Sequence, residues 1–261
     1  DVYFAANLVS NRLYLNEGNL RFTDVTEASG TAGNYGFHVG TTIVDINADG
    51  RLDIYICKSG AFDDPDKRRN ELYVNQGNNQ DGIPLFKEEA AKYQLDLPHY
   101  STQAAFFDYD KDGDLDLFLI NHNIDTKILS DFDKLRYARS AMSSDRLFKN
   151  EQNKFFDVSD EAGMINDGVG FGLGLAIGDL NNDHWPDIIV GQDYYAKDRM
   201  YLNQRNGTFK EIINEASGHI STFSMGNDLA DFNNDGWMDF MSVDMVSEDN
   251  YGIKASMSGM N

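Results

Sequence analysis

The 261-residue chain has one cysteine, four prolines and two tryptophans, and it is poor in positive charge. The single cysteine, Cys57, cannot form an internal disulfide, and it excludes the multi-cysteine zinc sites. It ends a short apolar run and reads as a small buried hydrophobe rather than a reactive thiol. Lys and Arg number 22 against 43 Asp and Glu, a net charge of −21. Phosphate backbones need a basic face, so nucleic acid is excluded as a partner. No run of about 18 apolar residues exists, so no segment is built to span a membrane as a helix. The five histidines, His38, His99, His122, His184 and His219, stand in no HExxH pattern and no Cys/His zinc spacing. There is no G-x-S-x-G element and no P-loop. The glycine-rich run 170–178 leads along an expected strand into an acidic loop, which is the wrong context for a nucleotide site. With no catalytic constellation in view, the chain reads as a non-enzyme.

What the chain does have is acid in a fixed pattern. A nine-residue loop occurs four times: DINADGRLD (Asp45–Asp53), DYDKDGDLD (Asp108–Asp116), DLNNDHWPD (Asp179–Asp187) and DFNNDGWMD (Asp231–Asp239). Position 1 is always Asp, position 3 is Asn47, Asp110, Asn181 or Asn233, and positions 5 and 9 are always Asp. Fourteen of the 43 acids lie in these loops. Oxygen ligands on alternate residues of a tight turn wrap a hard cation, and Ca²⁺ takes about 6–8 oxygens. An EF-hand is excluded, because position 12 is Ile56, Leu119, Val190 or Ser242 rather than Glu, and the flanks are strand-like rather than helical. Plain Asp/Asn/Gly turns do not demand carboxylates at positions 1, 5 and 9 every time. The expected cofactor is therefore Ca²⁺ at about four sites. Its side-chain ligands are Asp45, Asn47, Asp49 and Asp53; Asp108, Asp110, Asp112 and Asp116; Asp179, Asn181, Asp183 and Asp187; Asp231, Asn233, Asp235 and Asp239. Position 7 (Arg51, Asp114, Trp185, Trp237) varies too much to act by side chain and is expected to give its backbone carbonyl, with position 9 closing the site. Ligand charge alone ranks the second loop tightest. His184, where the other loops have Gly, together with Pro186 ranks the third weakest.

Other pieces recur between the loops. They are NRLYLN (Asn11–Asn16), NELYVN (Asn70–Asn75), DRLFKN (Asp145–Asn150) and DRMYLN (Asp198–Asn203), each followed by Phe22, Phe86, Phe155 or Phe209 with an acid close behind. Glu-Ala-(Ser)-Gly follows at 27–30, 161–163 and 215–218. A small-residue strand precedes each loop, with Gly40, Gly174 and Gly226 five residues ahead of three of them. The unit is thus strand A, acidic loop, then strands B, C and D. Repeated four-stranded antiparallel units are the blades of a β-propeller, and the apolar B strands fit burial on both faces. The glycines of strand A are expected where blades crowd together, with a simple bulge as the alternative.

The expected fold is an all-β propeller of four-stranded antiparallel blades with calcium-binding A–B hairpin loops, treated as a single domain over 1–261. Residues 1–30 form a partial blade of strands B, C and D. Residues 36–95, 100–163 and 170–218 form whole blades, and 222–261 a partial blade of A and B. Asp1 aligns with position 9 of a further loop, so the chain reads as a segment of a larger propeller.

The loops, Phe171-Gly172 and the N-x-L-Y-x-N…F pattern resemble FG-GAP/VCBS repeats, the repeat of the integrin α-chain propeller and of many secreted bacterial proteins. The resemblance covers essentially the whole chain, although His184 departs from it and the GAP half of the motif is largely missing. Ser101–His122 and Ser242–Ala255 are further similar to exported proteins of Bacteroidetes-type bacteria that pair such a propeller with an ASPIC/UnbV-type C-terminal domain. The resemblance implies binding or adhesion through a protein partner or a cell-surface assembly. The alternative is a polysaccharide-processing enzyme or its carbohydrate-binding accessory, since some propellers with these repeats carry lyase or lipase activity. Weak calcium modules fill only at extracellular calcium levels, about 10⁻⁴–10⁻³ M. The expected location is therefore outside the cytosol: cell surface, outer membrane-associated or periplasmic. Ligands are expected on the face opposite the acidic loops, which carries the long B–C connections Lys58–Arg69, His122–Ser144 and Gln192–Lys197 with Tyr194 and Tyr195. Within the longest, Ile128, Phe132, Leu135 and Met142 suggest one helical face, either packed on the rim or used for binding.

Overall fold

Short β-branched and aromatic runs, punctuated by Asp, Asn and Gly, fold into antiparallel sheets in strict chain order. The computed structural model describes residues 1–124, 132–135, 137–140, 142–194, 196–221 and 223–245. Three sheets have four strands. The first is Phe37–Val44 (β4), Asp53–Ser59 (β5), Glu71–Asn78 (β6) and Pro84–Glu88 (β7). The second is Ser101–Phe107 (β8), Asp116–Asn121 (β9), Arg146–Asn150 (β10) and Phe155–Asp157 (β11). The third is Gly172–Gly178 (β12), Asp187–Gln192 (β13), Arg199–Asn203 (β14) and Phe209–Glu211 (β15). Before them stands a three-stranded sheet of Val2–Phe4 (β1), Arg12–Gly18 (β2) and Arg21–Asp24 (β3). After them comes the pair Ser224–Ala230 (β16) and Asp239–Asp244 (β17).

The leading strands of successive sheets touch in order, β4 against β8, β8 against β12 and β12 against β16. The sheets therefore stand side by side around the line of their first strands. Among the described residues β16 and β17 do not pack extensively on β1, β2 or β3, so the row is open.

The second strand of each whole sheet carries the core. Every residue of β5, β9 and β13 is buried, and alternate side chains serve opposite neighbours, as the period of two requires. Ile54 and Ile56 pack with Tyr73, Tyr3 and Phe86 toward the preceding sheet. Tyr55 and Cys57 join Leu117, Leu119 and Phe148 toward the following one. Phe118 and Ile120 meet Ile188, Val190 and Tyr201 beyond that. Cys57 is 1% exposed, and burial pushes its thiol well above the ordinary range.

Every A strand bulges at the same place, with one residue added between His38 and Thr41, Ser101 and Gln103, Gly172 and Gly174, and Ser224 and Gly226. A bulge brings backbone close to the next sheet. A Cβ on Gly40 would lie 2.2 Å from the Thr102 carbonyl oxygen, and one on Gly174 would lie 2.9 Å from Asn227 N. Gly226 meets only ordinary contact at 3.6 Å. Close approach and bulge therefore coincide at Gly40 and Gly174. Hydroxyls bridge the same seam: Thr42 Oγ1 donates to Ala104 O (2.8 Å) and Thr102 Oγ1 to Gly172 O (2.7 Å).

The B–C connections differ from expectation in two places. Lys58 belongs to β5 rather than to a loop, and its ammonium is buried on Glu71 at 2.8 Å. A 3₁₀ turn over Pro65–Arg68 follows. Arg68 donates to the carbonyls of Phe62 and Pro98, and Arg69 pairs with Asp66 and Asp96, so the basic cluster is engaged within the fold. In the longest connection one helical turn is described, Phe132–Leu135, and the Leu135 carbonyl accepts from Gly168 N–H at 3.0 Å. Ile128 lies outside the described residues, as do Tyr195 and residues 246–261 of the last expected blade.

Candidate metal centres

Each acidic loop joins the first two strands of a sheet, at the same edge every time. Its backbone shape is set by two left-handed residues. Position 4 has positive φ in all four loops (Ala48 55°, Lys111 59°, Asn182 55°, Asn234 59°), and so does position 6 (Gly50 82°, Gly113 98°, His184 70°, Gly236 87°). Sequence reasoning found position 6 through its glycines and missed position 4, where only the two asparagines hint at it. The His184 side chain is 90% exposed, so packing does not offset its backbone conformation. Left-handed φ costs a residue with a Cβ roughly 1 kcal/mol relative to Gly. His184→Gly is therefore expected to raise stability in urea by about that amount; a loss of stability would show that the imidazole itself contributes.

The carboxylates collect the loop's own N–H groups. Position 1 accepts from the N–H of positions 5 and 6, through Asp45 in the first loop (3.0 and 2.8 Å) and likewise through Asp108, Asp179 and Asp231. Asn47, Asp110, Asn181 and Asn233 at position 3 accept from the position-5 N–H. Asp49, Asp112, Asp183 and Asp235 at position 5 accept from the N–H of Arg51, Asp114, Trp185 and Trp237. A carboxylate oxygen has two lone pairs, so these bonds orient the groups inward without exhausting them.

Position 9 does more than close a site. Asp53, Asp116 and Asp187 are fully buried. One oxygen of each accepts from the position-2 N–H (Ile46, Tyr109, Leu180) and the other from the N–H of the Asn that ends the strand-C motif (Asn75, Asn150, Asn203), at 2.8–3.2 Å. Asp1 holds Asn16 N–H in the same way at 2.9 Å. Asp239 keeps the first of these bonds, to Phe232 at 3.0 Å. These aspartates are clamps tying the loop to strand C.

Three of the second loop's acids, Asp108, Asp110 and Asp116, bring ligand oxygens within 4.8 Å of one another. Burial, reinforced by Asp110 and Asp112, pushes the Asp116 carboxyl up to about 7 despite its two N–H bonds. Burial and then the charge of Asp112 raise Asp114 to about 6, and Asp114 Oδ1 is buried without a hydrogen-bond donor. Burial likewise raises Asp53 and Asp187. A crowded all-oxygen donor set with an orphaned carboxylate oxygen is the environment a hard divalent cation relieves. Protein cations stand in the same places. Lys149 pairs with Asp110 and Asp112, Arg51 with Asp49 at 2.6 Å, and Arg205 with Asp183 at 2.8 Å. The donor set of the second loop therefore fits a hard divalent cation such as calcium. Adjacent loops also touch: Lys111 lies over the Trp185 ring at 4.8 Å, and Asn182 Nδ2 donates to Gly236 O at 3.0 Å.

At the opposite edge the best-formed nucleophile–base pair is Ser59 Oγ to His122 Nε2, 2.6 Å apart. Ser59 is 1% exposed, burial drives His122 down to about 4, and His122 Nδ1 has no hydrogen-bond partner among the described residues. Among the described residues no orienting third group of a hydrolytic triad meets the pair.

Tandem four-stranded antiparallel sheets, each opening its first hairpin on the same acidic loop, define an all-β repeat protein. A family model described as FG-GAP-like repeat matches residues 1–56 and 179–242. The matched stretches take in the first, third and fourth acidic loops, so these parts of the chain are similar to FG-GAP-like repeats. No curated protein matches the sequence.

Proposed function

We propose that the chain is a calcium-stabilised segment of a β-propeller, exported from the cell and working as a protein-binding or assembly module. The observation that carries this reading is the edge-to-edge division of labour. All four oxygen-lined loops lie at one edge, where bound calcium would rigidify the array, and the long irregular connections lie at the other. Loops on a rigid scaffold commonly carry recognition. FG-GAP-like repeats are typical of extracellular proteins, and among the described residues no helix is long and apolar enough to cross a membrane. The Bacteroidetes-type resemblance read in the sequence of Ser101–His122 and Ser242–Ala255 belongs to the same proposal, with a cell-surface or periplasmic setting. Bound calcium would cut the net charge from −21 to about −13.

A carbohydrate ligand is the second reading, favoured by aromatic rings at the connection edge. His122, Phe171, Tyr194 and Phe223 follow one another at centroid spacings of 5.0, 5.2 and 6.2 Å, and Tyr35 and Phe37 are 59% and 38% exposed. Two of those contacts are edge-to-face, which satisfies the rings against each other and makes them a poor flat platform for sugars. The experiment is affinity capture from the native host in calcium-containing buffer, run beside a glycan array, with a Tyr35→Ala/Tyr194→Ala variant as control. Selective capture of one protein, lost in the variant, supports the module. Glycan binding lost in the variant transfers the assignment to carbohydrate.

A further inference from the structure

The four repeats can be compared position by position. The fifth residue of the strand-C motif is Leu15, Val74 and Leu202 in three of them and Lys149 in the fourth. The one repeat with a cation at this apolar position is also the one with the most acidic loop. Asp110 stands where the others have Asn47, Asn181 and Asn233, and Asp114 stands where they have Arg51, Trp185 and Trp237. The Lys149 stem keeps the strand register, opposite Phe156. Its ammonium reaches Asp110 Oδ2 and lies 3.0 Å from Asp112 Oδ2, with 27% of the side chain exposed.

The remaining loops explain why the ammonium is there. The second oxygen of the position-5 carboxylate has a donor in every loop. It is Arg51 in the first (2.6 Å), Asn181 and Arg205 in the third (3.0 and 2.8 Å), and Asn233 in the fourth (3.0 Å). Asp110 has no N–H₂ to give, so the second loop needs a donor from elsewhere. We propose that Lys149 is a tethered counter-cation of the Asp108–Asp116 loop. It holds Asp110 and Asp112 in the metal-free protein and must release them before a divalent cation is seated. It thereby lowers the loop's metal affinity while stabilising its metal-free form. The inference rests on reading the loops as calcium sites. It also revises the ranking by ligand charge, since the loop richest in acid carries its own competitor.

The test is calcium titration by calorimetry and melting in EGTA, for Lys149→Leu, Lys149→Arg and the charge control Lys154→Met from the same hairpin. Lys149→Leu restores the residue type of the sister repeats, so folding is expected. It should tighten one calcium site about tenfold or more and lower the melting temperature in EGTA, while Lys149→Arg and Lys154→Met stay within about twofold of the parent. Adding Asp112→Ala to Lys149→Leu should abolish the gain. Equal or weaker binding by Lys149→Leu, or an equal gain from Lys154→Met, overturns the counter-cation. Absence of calcium binding by parent and variants alike overturns the calcium reading itself and the counter-cation with it.

Discussion

Chelation of calcium is expected to lower the melting temperature of the chain by on the order of 10–20 °C. At about 1 mM free Ca²⁺ and a Kd near 10⁻⁴ M, each site adds about 1.4 kcal/mol by mass action. Four independent sites then add roughly 5–6 kcal/mol, and for a chain of this size each kcal/mol moves the melting temperature by about 2–4 °C. The raised Asp116 and Asp114 carboxyls point the same way, because the second loop concentrates negative charge that Lys149 offsets only in part. The loops also touch one another through Lys111 on Trp185 and Asn182 on Gly236, so loss of order in one is passed to its neighbour. Differential scanning calorimetry with calcium and with excess EGTA is the measurement. Superimposable melting curves would show that the hydrogen-bonded loops hold their shape as Asp/Asn turns without metal.

Much of this architecture was legible in the sequence because its signals are local and repeated. Asp at positions 1, 5 and 9, glycine or a substitute at 6, and the apolar B strands each act within a few residues of chain. A repeat presents such a signal four times. The clamp made by position 9 was less legible, since Asp53, Asp116 and Asp187 find their second partners in Asn75, Asn150 and Asn203, which lie in strand C. The Asn at the end of each strand-C motif was visible, but not its reason: its N–H meets the clamp while its side chain reaches the loop, as Asn150 does to Leu115 O at 3.0 Å. Lys58 was misread as a loop residue because a lone Lys after an apolar run usually marks a strand leaving the core. Here Glu71, at the start of the next strand, supplies the partner that keeps it inside. Lys149 was overlooked for a similar reason, as its role appears only when the hairpin brings strand C beside the loop. Residues 57–178 fall outside the family match, and this stretch holds both the second, most acidic loop and the longest connection.

The largest single-residue effect is expected at Arg199, whose guanidinium joins the second and third four-stranded sheets. It is 4% exposed, meets Asp145 at 3.1 Å and takes both oxygens of Asp167 at 3.0 and 3.1 Å. Asp145 is itself fully buried and accepts from Asn121 N–H and Gln192 Nε2, so it occupies the corner where both sheets meet. Removing one member of such a pair strands the other without solvent, which typically costs about 3–5 kcal/mol. Arg199→Met keeps most of the volume and isolates the charge effect, and urea unfolding should show a loss of that size. The pH dependence identifies the cause. Burial already lifts the Asp145 carboxyl to about 6, and loss of the guanidinium that opposes this raises it further. A carboxyl whose folded value lies above its unfolded value loses stability as pH rises from the unfolded toward the folded value. The variant should therefore be hurt more at pH 8 than at pH 5. Asp145→Asn keeps an acceptor for Asn121 and removes the charge, so the Arg199→Met/Asp145→Asn pair should recover more than half of the loss. Equal destabilisation at both pH values with no recovery in the double variant would mean that Arg199 matters through packing and not through its charge.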